Sequence, residues 1–172
     1  MLEYFPREYR WSEGLRLALT AAPYGGAEIG EIDQIGRRLM ENIGDDNSWY
    51  NEWKTMGFHV EALGNIAERE NNKITAASRF LRACNYIQVG ERFLQPKDEE
   101  THETFKKSVN CFKKAAKLLH WPKIEYVEVP FEGNAMPAYF VSDGEGDQKP
   151  VVVYFDGLDS NKELLYFSIV PD

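Results

Sequence analysis

The sequence predicts an α-helical N-terminal domain followed by the first strands of a parallel-type α/β sheet. Three observations point there. Apolar residues recur at spacings of three and four over most of residues 27–119, the period shifts to two after Pro122, and residues 151–155 (VVVYF) form a continuous apolar run that stops at Asp156-Gly157. The first spacing puts side chains on one helix face, the second marks a half-buried strand, and the third is the mark of a strand buried on both faces. The change of period near Trp121 divides the chain into a helical domain at 1–121 and the start of a sheet domain at 122–172.

Taken in order, the aromatic-rich stretch 1–24 contains one short helical pattern around Leu15, Leu17, Ala18 and Leu19, broken by Pro23-Tyr24-Gly25-Gly26. Ile29, Ile32, Ile35 or Gly36, Leu39 and Ile43 mark the next helix, which Gly44-Asp45-Asp46-Asn47 ends. Trp49, Trp53, Met56, Val60, Leu63 and Ala67 share one face of a third, with Asn47 or Ser48 as its cap. From Lys73 to Phe93 two rows, Ala76/Phe80/Ala83/Ile87 and Ile74/Ala77/Leu81/Cys84, cover much of a helix circumference, so this element is expected to be buried on two sides. After Gln95-Pro96, the acids Asp98, Glu99 and Glu100 suit a helix N-terminus, and Phe105, Val109, Phe112, Ala116 and Leu119 form the stripe that follows. Helix pairs of this kind suggest a repeat array, but no self-similar period is present.

Beyond Pro122, residues 124–129 and 136–141 alternate around the turn Phe131-Glu132-Gly133-Asn134 and read as a β-hairpin. Residues 142–148 (SDGEGDQ) form a polar loop that leads into the apolar run 151–155. Residues 164–172 have the pattern of a short helix after that strand.

Composition excludes several functions. Hydrophobic residues at 43% and aromatic residues at 13% describe a folded chain. The net charge of -8 opposes nucleic-acid binding, which needs clustered cations. The one locally basic stretch, Lys106, Lys107, Lys113, Lys114 and Lys117, alternates with apolar positions as a solvated helix face does. Cys84 and Cys111 lack a C-x-x-C arrangement and fit buried thiols in a reducing compartment, so a cytoplasmic protein is expected. No run approaches the ~20 apolar residues of a membrane span, and the N-terminus lacks a signal-peptide core.

Particular phrases carry a resemblance. Trp49-Tyr50 with Trp53, then Val129-Pro130-Phe131-Glu132-Gly133, Pro137-Ala138-Tyr139-Phe140 and Gly157-Leu158-Asp159-Ser160-Asn161-Lys162-Glu163 resemble α/β-hydrolases with an N-terminal helical domain. The group includes the fungal pigment polyketide-shortening hydrolases, the pseudooxynicotine hydrolases and the FrsA-like esterases. The resemblance implies a serine nucleophile, a histidine base, an orienting aspartate and a backbone oxyanion hole acting on a small-molecule carbonyl compound, either an ester or a ketone-adjacent C–C bond. It places one oxyanion donor in the loop after the third strand: the Leu158 amide, with Gly157 shaping the turn and Asp159 beside it. Asp159, Lys162 and Glu163 have two readings: they orient the loop or contact substrate, or else Asp159 or Ser160 caps the next helix while Lys162 and Glu163 pair.

The remaining machinery is not in this sequence. There is no G-x-S-x-G, and His59, His102 and His120 sit in helical or helix-end contexts without a partner pattern. No ligand spacing suggests a metal, and Gly25-Gly26 with Gly30 follows no strand, so no metal and no cofactor are expected. In the implied sheet order, one-two-four-three, the strand at 151–155 is separated from the second by a fourth that is absent, so it is expected to have no neighbour. These features are those of an N-terminal fragment, inactive alone, of a longer hydrolase. The competing reading is a helical interaction module, including a homodimer, that uses Trp49 and Trp53 as contacts.

Overall fold

The computed structural model describes residues 4–144 and 149–169. Its helices are α1 (Tyr9–Thr20), α2 (Ile29–Leu39), α3 (Asp46–Arg69), α4 (Lys73–Gly90), α5 (Glu99–Leu118) and α6 (Lys162–Ile169). Between α5 and α6 lie the strands β1 (Lys123–Phe131) and β2 (Asn134–Ser142).

The helical layer is built on the α3–α4 pair, whose close approach depends on two glycines. A Cβ on Gly57 would lie 2.6 Å from Ile87 Cγ1 and 3.3 Å from the Ile87 amide nitrogen. One on Gly90 would lie 2.9 Å from Trp53 Cβ and 3.3 Å from the Tyr50 carbonyl oxygen. The expected α3 face is buried at Trp49, Trp53, Met56, Val60 and Ala67. Trp49 sits at the centre of an aromatic cluster, its ring 5.2 Å from Trp11, 5.4 Å from Trp53 and 5.1 Å from Phe93 between centroids. Its indole N–H donates to the Val89 carbonyl at 2.9 Å, satisfying a polar atom that burial would otherwise leave costly. Both Trp49 and Trp53 are fully buried, so neither is available as a partner contact.

Several local expectations are corrected. The carboxylate of Asp45, rather than Asn47 or Ser48, caps α3 by accepting from the amides of both those residues. On α4 the Ala76/Phe80/Ala83/Ile87 row is buried throughout, but Ile74 is 87% exposed because it lies in the first turn, beyond the facing helices. Leu17, Ile29 and Ile43 are also exposed. The buried face of α5 runs through Thr101, Thr104, Ser108, Cys111, Phe112 and Ala115, leaving Phe105, Val109, Ala116 and Leu119 half-buried. Polar residues face the core there because the neighbouring helices supply partners: Tyr50 donates to Thr104 Oγ1 at 3.1 Å and Gln88 to Ser108 Oγ at 3.0 Å.

The hairpin forms as its sequence predicts, with Phe131 opposite Asn134 and Lys123 opposite Ser142. Glu132 and Gly133, at φ 46° and 79°, supply the two left-handed residues of a two-residue turn that matches strand twist. It rests on α5 through Tyr139, whose ring lies 4.7 Å from Phe112, and through Lys113, whose ammonium is 3.9 Å from the Tyr126 ring centre.

Residues 151–155 overturn the expectation of a buried strand. They form no strand, and Val151, Val152, Val153 and Phe155 are 70%, 84%, 81% and 83% exposed. A strand takes its backbone partners and its cover from neighbours, and none adjoins this one among the described residues. The loop residues 145–148 and the expected helix end at 170–172 lie outside the described residues. No described helix is long and apolar enough to cross a membrane.

Candidate functional site: the turn before α6

The candidate residues converge on the turn at 156–161. The Asp156 carboxylate accepts from the Gly157 amide at 2.8 Å, which orients the peptide entering the turn. Gly157 needs its missing side chain for no reason internal to the fold: a Cβ there meets nothing within 4 Å, and its φ lies outside the left-handed region. The Leu158 side chain is 99% exposed, and its amide has no partner among the described residues. Asp159 is exposed and takes part through its backbone, its carbonyl accepting from Arg92 Nη1 at 3.5 Å.

The cap of α6 is Asn161, not Asp159 or Ser160. Its side-chain oxygen accepts from the amides of Glu163 and Leu164, both at 3.1 Å, satisfying donors that the first helical turn leaves free. Lys162 and Glu163 do pair, Nζ to Oε1 at 2.8 Å, but not at the surface: the Glu163 side chain is 0% exposed. Tyr139 of β2 donates its hydroxyl to the same Oε1 at 2.9 Å. The helix is anchored further along by Tyr166 and Phe167 against Phe112, and Phe167 occupies the space a Cβ on Gly26 would need, at 2.7 Å.

Electrostatics follow from this burial. The Tyr139 phenol is pushed well up, first by desolvation and then by the charge and hydrogen bond of Glu163, so it remains a neutral donor. The Cys84 thiol is pushed far up by burial, with the Glu163 charge adding to it, and burial pushes Cys111 up to about 12. Neither thiol is a nucleophile at neutral pH. No group of His, Cys, Asp and Glu able to hold a metal occurs among the described residues. A groove of about 360 Å³ between α2 and α3, lined by Glu31, Gln34, Arg38, Thr55, Met56 and His59, includes no residue of the turn. His59, His102 and His120 are all exposed.

Sequence reasoning missed Arg92 and Tyr139 as supports of the turn. Tyr139 lay within a phrase that carried the resemblance, whereas nothing in the pattern around Arg92 distinguishes it from a solvated helix-end cation.

No protein-family model matches the chain. Individual proteins do. It is 30% identical over 183 residues to the hydrolase acrC of Aspergillus aculeatus, covering 97% of this chain and 42% of that protein. It is 34% identical over 174 residues to the hydrolase LUC6 of a Fusarium species, covering 97% of this chain and 41% of the relative. The 20-hydroxy-prefusarin hydrolase FUS2 of Gibberella moniliformis is 30% identical over 174 residues, again with 97% and 41% covered. The chain thus spans about two-fifths of the length of the curated relatives it matches. Its helical layer, hairpin and turn-to-helix segment form an incomplete α/β fold, and along nearly its whole length the chain is similar to fungal hydrolases, several of them named α/β-hydrolases.

Proposed function

We propose that this chain supplies the helical domain and one backbone oxyanion donor, the Leu158 amide, of a serine hydrolase acting on a small-molecule ester or a C–C bond beside a ketone. The Gly157-Leu158-Asp159 turn carries this reading: it projects from the helical layer immediately before α6, with an exposed amide at Leu158 and a glycine that no internal contact requires. A glycine of that kind lets a backbone N–H come close to a ligand oxygen. Attack, proton transfer and orientation of the base need a serine elbow and a histidine–aspartate pair, and no G-x-S-x-G occurs in these 172 residues. On this reading the 172-residue chain hydrolyses nothing by itself.

The test compares the 172-residue chain with a chimera that continues, after its last residue, into the remaining length of the Fusarium relative. Short p-nitrophenyl esters should be hydrolysed by the chimera, with labelling by a fluorophosphonate, and not by the chain alone. Fluorophosphonate-sensitive turnover by the chain alone would overturn the assignment.

A further inference from the structure

We infer that Glu163 is a positioning residue for the oxyanion turn, holding the turn and α6 against the hairpin through a buried carboxylate. The inference rests on the function proposed above and names a side chain that acts through the backbone of its neighbours. Glu163 is the only acid among the fully buried polar and charged residues described, which otherwise comprise Ser, Asn, Gln and Thr. Both donors that reach it, Tyr139 Oη at 2.9 Å and Lys162 Nζ at 2.8 Å, converge on Oε1. Oε2 is buried without a hydrogen-bond donor among the described residues.

A carboxylate in this condition is a poor way to stabilise a core, since desolvating it costs more than one neighbouring ammonium and one phenol return. Local violations of this kind are expected where position matters more than stability. The geometry shows what is positioned. Glu163 stands two residues after Asn161, which caps α6, and four after Asp159, whose carbonyl Arg92 holds. Tyr139, the residue that grips Glu163, is itself packed on Phe112 of α5. The turn is thereby contacted on one side by Arg92, two residues beyond α4, and its following helix is held on the other by Tyr139 of the hairpin. Apolar packing of Leu165, Tyr166 and Phe167, with Leu164 half-buried against the same core, holds the rest of α6.

Amide hydrogen exchange by NMR on the full 172-residue chain tests this without any need for catalysis, so it can fail while the Leu158 assignment stands, and the reverse. In E163Q, which keeps the shape and removes the charge, the amides of Leu164 and Leu165 should exchange about tenfold faster or more, while amides in the middle of α3 and α4 keep their protection. The Tyr139 hydroxyl proton, deshielded by the carboxylate, should move upfield, a signature that loss of packing alone does not give. Tyr139→Phe removes only the donor and should loosen the same amides, which keeps the test decisive should E163Q fail to fold. Exchange at Leu164 and Leu165 unchanged within about twofold in either folded variant would overturn the inference.

Discussion

The helical layer and residues 149–161 follow opposite rules within one chain. In the helical layer Trp11, Trp49, Trp53, Tyr86, Phe80 and Phe112 are all buried to below 2% exposure. In the segment at 151–155 an equally apolar run lies open to solvent. The difference is one of secondary structure rather than hydrophobicity. A helix satisfies its own backbone and needs only a facing surface, which α1 to α5 give one another, whereas a strand must borrow both its hydrogen bonds and its cover. Apolar content alone therefore does not decide burial.

The comparison can be broken most forcefully in the helical layer. Trp49→Ala removes the centre of the aromatic cluster and should cost about 3–5 kcal/mol in urea unfolding. Gly57→Ala pushes a methyl group against Ile87 and its backbone, and should cost about 1–3 kcal/mol by the same measurement.

Alkali should weaken the same core through its thiols. Cys111 ionises near its ordinary value of 9.0 once unfolded, but burial holds it protonated up to about 12 in the fold. Above pH 9 the unfolded chain therefore binds fewer protons than the native one, and stability falls as pH rises. Cys84 acts in the same direction. Melting temperatures of a Cys111→Ala variant should decline less steeply than those of the parent between pH 9 and 10.5. At the other extreme, Val153→Ser lies in the open segment and should change unfolding free energy by less than about 0.5 kcal/mol while raising solubility. A loss as large as that of Gly57→Ala would mean that residues 151–155 are buried in solution.

Most of the helical layer was legible because its signal is local. The α3 stripe from Trp49 to Ala67 repeats often enough to fix the buried face, and the hairpin announces its own turn at Glu132-Gly133. What escaped depends on neighbours. Thr104 and Ser108 on α5 are buried because Tyr50 and Gln88 happen to face them, and the period of the apolar residues cannot show this. At the candidate site the G-L-D-S-N-K-E phrase located the turn, but it pointed to Asp159 or Ser160 as the cap, and Asn161 takes that role. Glu163 read as a contact of the loop or substrate or as half of a pair with Lys162, and its burial under Tyr139 depends on the hairpin, which the local pattern does not show.

The central functional claim is that Leu158 contributes an N–H and not a side chain. Steady-state kinetics of Leu158→Pro and Leu158→Ala in the ester-hydrolysing chimera test it directly. Proline deletes the amide hydrogen at a position whose side chain is fully exposed, and should lower kcat about 10²–10³-fold with little change in KM, while alanine leaves kcat nearly untouched. A proline variant that keeps kcat within about threefold of the parent would contradict the account.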